Sequence, residues 1–193
     1  RLYPGNYIIT AINPVNGEQI GNKVIVKPNI ADNKELVKYF RNASQYSVKL
    51  LNNDGSVAVE GEKVVFNING VFYTKATNAS GIATLNINLN PGKYIVTAIY
   101  KECMVSNNIT VLPTVIAKDG NITQGNSFVA TVVDGCGNPL ANQSVTFNIN
   151  GVFYNKTTAD NGVASLNINL LKGKYIITST WNSYQVGNKI TIS

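Results

Sequence analysis

The residues able to carry chemistry are few in this chain, and their types exclude more than they permit. No histidine occurs among the 193 residues, so Ser-His-Asp and Cys-His nucleophiles and imidazole metal sites lack their base or ligand. The ten acidic residues are scattered singly. A glycosidase needs two carboxyl groups held at a fixed separation, and no spacing here nominates such a pair. Calcium loops want several oxygen ligands together, carboxylates prominent. Asp119-Gly120-Asn121 and Asp134-Gly135 are too sparse for that and read as turns. The expectation is no catalytic residue, no metal, no cofactor and no enzymatic activity.

Two kinds of covalent chemistry remain. A spontaneous Lys–Asn amide crosslink needs a buried lysine, an asparagine and a carboxylic acid to move protons in a dry site. Lys75 and Lys156, like Lys93 and Lys174, recur at equivalent places, but no acid recurs beside them. N-glycosylation is better represented. Asn42, Asn78, Asn108, Asn121, Asn142 and Asn155 each open an Asn-X-Ser/Thr sequon without proline. Asn78, in a turn, and Asn121, in a loop, are the best placed. A chain rich in Asn, Ser and Thr also makes such triplets by chance.

The elements that would position these groups are set by a repeat. Phe-Asn-Ile-Asn-Gly-Val-Phe-Tyr stands at 66–73 and again at 147–154, an offset of 81. The same offset carries Gly81 to Gly162, Leu85–Leu89 to Leu166–Leu170, and Gly92–Ile95 to Gly173–Ile176, with no gap needed from about residue 46 onward. Pro4–Ala11 matches Pro91–Ala98, so a partial third copy opens the chain. That start inside a repeat is expected of a piece of something longer.

Each full copy reads as about seven short antiparallel strands with turn signals near every ten residues, the pattern of a β-sandwich. Val145, Phe147 and Ile149 alternate with polar residues, placing apolar side chains on one face. Asn150-Gly151 and Asn69-Gly70 tolerate the positive φ angles of a two-residue hairpin turn. Asn33–Tyr39 is the one stretch where a helical turn is compatible with the pattern, through Leu36, Val37 and Phe40, and an irregular insertion is expected there. Tyr7, Tyr94 and Tyr175 each follow a Gly-X pair at the start of the penultimate strand. They are expected to form tyrosine corners, the hydroxyl tying back to nearby backbone; the functional alternative is an exposed platform for a sugar.

Cys103 and Cys136 fall at unmatched positions, opposite Tyr184 and Gly55 at the offset of 81, so they make no repeating disulfide framework. Free or intermolecular thiols are expected. The formal charge of +6 is spread as single lysines, without the basic stripe and stacking aromatics of a nucleic-acid site. No tract of 18 apolar residues could span a membrane as a helix.

The runs Asn-Ile-Asn-Gly-Val-Phe-Tyr, Gly-Ile/Val-Ala-Thr/Ser-Leu-Asn-Ile-Asn-Leu and Gly-Lys-Tyr-Ile-Val/Ile-Thr resemble the Ig-like repeats of adhesin-like surface proteins from methanogenic archaea of the Methanobrevibacter type. Phe40–Tyr46 and Ser106–Pro113 are similar to that family's connecting segments. The resemblance covers essentially the whole chain. It implies an all-β fold of tandem Ig-like sandwiches: residues 1–27 as the C-terminal hairpin of a preceding repeat or as donated strands, 28–113 as repeat 1 and 114–193 as repeat 2. It further implies an extracellular cell-surface protein forming an adhesive stalk or filament. Its partners would be neighbouring repeats, other subunits by strand pairing, and a cell wall or another cell's surface. The alternative is a module that itself binds a glycan or wall polymer, for which Trp181, Tyr184 and Tyr100 are the candidate aromatic cluster.

Overall fold

A computed structural model describes residues 2–193. The regular structure among them is all strand, eighteen in number. A hairpin of β1 (Gly5–Ile12) and β2 (Gln19–Val26) forms a two-stranded sheet. The first full copy comprises β3 (Ile30–Ala31), β4 (Leu36–Tyr39), β5 (Gln45–Leu50), β6 (Lys63–Ile68), β7 (Val71–Ala76), β8 (Ile82–Asn86), β9 (Gly92–Tyr100) and β10 (Cys103–Leu112). The second comprises β11 (Val115–Ile116), β12 (Gly120–Ile122), β13 (Ser127–Val132), β14 (Ser144–Ile149), β15 (Val152–Thr157), β16 (Val163–Asn167), β17 (Gly173–Trp181) and β18 (Tyr184–Ile192). Contacts gather the chain into two compact units. One holds residues up to Leu36 with Ser44–Ile87 and Lys93–Thr110; the other holds Val37–Ala43, Asn88–Gly92 and Val111–Ser193.

Both copies have the same topology. A three-stranded sheet, β3-β5-β8 or β11-β13-β16, accompanies a five-stranded one, β4-β10-β9-β6-β7 or β12-β18-β17-β14-β15. These are tandem Ig-like sandwiches. Each has eight strands rather than about seven, because a short strand near the start of the copy joins the edge of the larger sheet. In the second copy that strand, β12, runs parallel to β18, pairing Gly120 with Ile190 and Ile122 with Ile192. Leu36–Tyr39, compatible with a helical turn by pattern, is strand. Its apolar residues are too few to outweigh a ladder partner.

Period-2 alternation builds the cores. In β6, Val64, Phe66 and Ile68 are buried while Val65 and Asn67 stay half-exposed, and β14 repeats this with Val145, Phe147 and Ile149. In the second unit these residues meet Phe128, Ala130 and Val132 of β13 and Ala164 and Leu166 of β16, with Ile177, Ile190 and Ile192 closing the same core. Phe128 and Phe147 meet edge to face at 6.0 Å, as Tyr46 and Phe66 do at 5.8 Å, a favoured aromatic geometry. Asn69-Gly70 and Asn150-Gly151 have φ near 52° and 79° in both copies, the left-handed pair that a type I′ turn requires. Gly162 is needed for a different reason. A Cβ there would lie 2.6 Å from the Val132 carbonyl oxygen.

The ladders correct one feature of the repeat. Tyr46 pairs with Leu85 and Phe128 with Leu166, so β5 and β13 are related by an offset of 82 and not 81. The bridges Leu51–Val57 and Val133–Pro139 agree. The offset returns to 81 by the next strand, where the Thr77 hydroxyl bonds the Val59 carbonyl and that of Thr158 the Leu140 carbonyl. The extra residue therefore lies in the turn before β6. A one-residue slip exchanges the faces of a strand, and burial forbids it, since an offset of 81 would set Ser127 at Tyr46's core position. Cys136 thus stands opposite Asp54, not Gly55.

The hairpin matches β17–β18 pair for pair. Gly5–Val26, Tyr7–Val24 and Ile9–Asn22 repeat Gly173–Ile192, Tyr175–Ile190 and Ile177–Asn188. Ile9 is 53% exposed where Ile177 is fully buried.

Candidate functional site

At the tyrosines, Tyr7 Oη donates to the Tyr3 carbonyl at 2.7 Å and Tyr175 Oη to the Leu171 carbonyl at 2.9 Å, both four residues upstream. The Gly-X pair makes this reach feasible: a Cβ at Gly173 would touch the Tyr175 ring at 3.3 Å. This is the geometry of a corner, and it spends the hydroxyl on the chain itself. Tyr94 occupies the equivalent place in β9, half-buried.

The sequon asparagines are sorted by what their amide nitrogens do. Asn42 Nδ2 donates to the Gly135 carbonyl at 2.7 Å in a partly buried contact. Asn108 Nδ2 donates to Glu35 Oε1 at 2.7 Å. Asn78 is exposed and uses its Oδ1, which accepts from the backbone of Ser80 and Ile82. Asn155, in mid-strand, accepts from Thr146 Oγ1 at 2.8 Å. Asn121 is exposed in β12, a strand and not a loop. Asn142 is exposed with φ of 58°.

The four recurring lysines, Lys75, Lys93, Lys156 and Lys174, are all exposed, so none sits in the dry site that a Lys–Asn crosslink needs. The buried lysine is Lys38, its ammonium pushed toward neutrality by desolvation. Asp54, Asp119 and Asp134 are held below the ordinary carboxylate range by hydrogen bonds. The leading donors are the Ser56 hydroxyl for Asp54, the Asn188 amide for Asp119 and the Asn138 backbone for Asp134. Each acid thus closes its own turn or strap. No group of three or more His, Cys, Asp or Glu able to hold a metal occurs among the described residues. Cys103 is buried in β10 and Cys136 exposed in a loop, both as free thiols.

The aromatic cluster expected near the last hairpin is absorbed by packing. Tyr100 is 3% exposed, its hydroxyl donating to Glu62 Oε2 at 3.1 Å. Trp181 and Tyr184 pack on the core of the second unit; Trp181 Nε1 donates to Gln143 Oε1, and Tyr184 meets the Phe40 ring at 5.2 Å. These residues do not form a free platform. Four exposed aromatics lie elsewhere, in the two copies of the repeated octapeptide. Val71, Phe72 and Tyr73 on β7 and Val152, Phe153 and Tyr154 on β15 project from strands whose every residue is exposed. Phe72 is 64% and Phe153 68% exposed. Strict repetition marked this segment from the start. Its exposure was hidden because period-2 patterning does not reveal which strand ends a sheet.

No protein-family model matches the chain, and no curated protein does. Among solved structures, it is similar to a chimeric titin Z1Z2 tandem, with TM-score 0.35 and 15% identity over 86% of this chain and 99% of that one. It is similar also to invasin, a bacterial integrin-binding protein, with TM-score 0.37 and 18% identity over 85% of this chain. The S-layer protein rSbsC matches with TM-score 0.32 and 13% identity over 98%. The chain spans 38% of the invasin chain and 35% of the S-layer chain. Likenesses of this degree add nothing to the fold read from the ladders.

Proposed function

We propose that this chain is a structural and adhesive segment of a large archaeal cell-surface adhesin-like protein, its Ig-like repeats forming part of an extended extracellular stalk. The pairing of β12 with β18 carries this reading. These strands lie near the beginning and the end of the second copy, and they run parallel as ladder neighbours. Tension applied along the chain pulls such strands past one another, so several hydrogen bonds must break together and none opens first as in a zipper. Backbone bonds from Ser193 to Ile122 and from Gln124 to Ser193 extend the same contact. What the copies share is this scaffold, while the acids and cysteines differ between them. Function then resides in length, display and association. The pairwise match of β1–β2 with β17–β18 supports residues 1–27 as the hairpin of a third repeat.

Single-molecule pulling from the two ends tests it. The expected trace has two resistant unfolding events, each releasing roughly 250 Å of chain for a repeat of this size. Smooth extension without resistance would overturn the stalk reading. A glycan array probed with the same chain is expected to stay silent; a specific signal would favour the polymer-binding module instead.

A further inference from the structure

We propose that β15 is a self-association edge, pairing antiparallel with β15 of a second copy of this chain so that Tyr154 faces Tyr154. The proposal stands on the backbone first. β15 ends its five-stranded sheet and pairs with β14 over six consecutive residues without a bulge. The two-residue turn makes Ile149 and Val152 a hydrogen-bonded pair, so Val152, Tyr154 and Lys156 direct their backbone groups to β14. Phe153, Asn155 and Thr157 direct theirs to the open edge. An edge of this length, without proline or bulge and with one lysine, is a template for another strand.

The side chains select the occupant. Val152 and Tyr154 line a cleft of about 280 Å³ whose other wall is Leu166, Ile168 and Leu170 alternating with Asn167 and Asn169. An antiparallel copy with Tyr154 opposite Tyr154 brings its own Val152, Tyr154 and Lys156 to the same face, along that cleft. The same register sets Phe153 opposite Asn155, so their outward backbone groups meet. Lys156 then falls opposite Val152 and no lysine faces a lysine, which satisfies the charge pattern that cross-strand pairs demand. The exposed Val-Phe-Tyr of one edge brings on the order of 300 Å², against roughly 800 Å² per partner in a stable interface. Association through one edge is therefore weak. β7 presents the same Val-Phe-Tyr with nearly the same exposure, so it offers a second edge of the same kind.

The test is thiol trapping on the whole chain carrying Cys136→Ser, which removes the exposed thiol. Tyr154→Cys is expected to form disulfide-linked dimers at least about tenfold faster than Lys156→Cys, because only the former holds its thiols at cross-strand distance. Sedimentation of the unaltered chain is expected to be concentration-dependent, and Tyr73→Asp with Tyr154→Asp to render it monomeric with an unchanged melt. Equal trapping of the two cysteine variants overturns the proposal, as does a monomer at every concentration. An association that survives the two aspartates but is lost with Ile9→Asp assigns the contact to the β1–β2 hairpin and also overturns it.

Discussion

Tyr46 donates its hydroxyl to Asn107 Oδ1 at 2.6 Å, and the second copy keeps the asparagine but not the donor. Phe128 stands where Tyr46 does, paired with Leu166 as Tyr46 is with Leu85. Asn188, the counterpart of Asn107, is left with a buried Oδ1 that has no partner. Phe128→Tyr is therefore expected to stabilise the second unit by about 1 kcal/mol, the net value of a hydrogen bond that also relieves an orphaned acceptor. Tyr46→Phe should cost the first unit a similar amount, moderated because Asn33 Nδ2 also donates to Asn107 Oδ1 at 3.0 Å. Urea melts of the two variants, read against the unaltered chain, measure both.

Ser179 makes a parallel case. Its Oγ is buried without a partner, and the equivalent residue of the first copy is the fully buried Ala98. Ser179→Ala should stabilise the second unit by about 1 kcal/mol, since a buried hydroxyl without a hydrogen bond carries its desolvation cost uncompensated. A thermal melt that moves down would contradict this.

Two glycines should respond differently to a methyl group. Gly162→Ala places Cβ against the Val132 carbonyl oxygen and keeps φ at 74°, so a loss of about 2–4 kcal/mol is expected. Gly151→Ala meets open space at φ of 79°, and only the left-handed penalty of about 1 kcal/mol applies. Chemical denaturation of the pair separates clash from backbone strain.

Stability should fall at both ends of the pH scale, for separate reasons. The depressed carboxyls of Asp54, Asp119 and Asp134 support the fold above their unfolded value near 3.8. That support is lost as pH drops through the lower folded values. Tyr46 is raised by burial to about 12 from 10.0. Its contribution is complete below pH 10.0 and is lost as pH rises toward about 12. Tyr46→Phe should remove that part of the alkaline limb, which a denaturation series across this range would show.

Glycan occupancy, in a host that modifies sequons, should follow the amide nitrogens. Asn78, exposed and engaged through its oxygen, is expected to be occupied ahead of Asn42, whose Nδ2 is held by the Gly135 carbonyl. Glycopeptide mapping that finds Asn42 fuller than Asn78 would refute the order.

The sequence by itself determined the two-copy architecture, the inward faces of β6 and β14, and the Asn-Gly hairpins. These features are local: alternation and positive φ act within a few residues, so residue type reports them. Tertiary structure decided what depends on neighbours from elsewhere in the chain. It set the offset of 82 in β5 and β13, because burial of Tyr46 and Phe128 outweighs the simpler alignment. It buried Tyr100 and packed Trp181 and Tyr184, which composition alone nominated as exposed. It left Val-Phe-Tyr open on β7 and β15, since an edge exists only once the order of strands in the sheet is known. And it separated Asn107 from Asn188, identical residues at equivalent positions, by whether the residue across the core carries a hydroxyl.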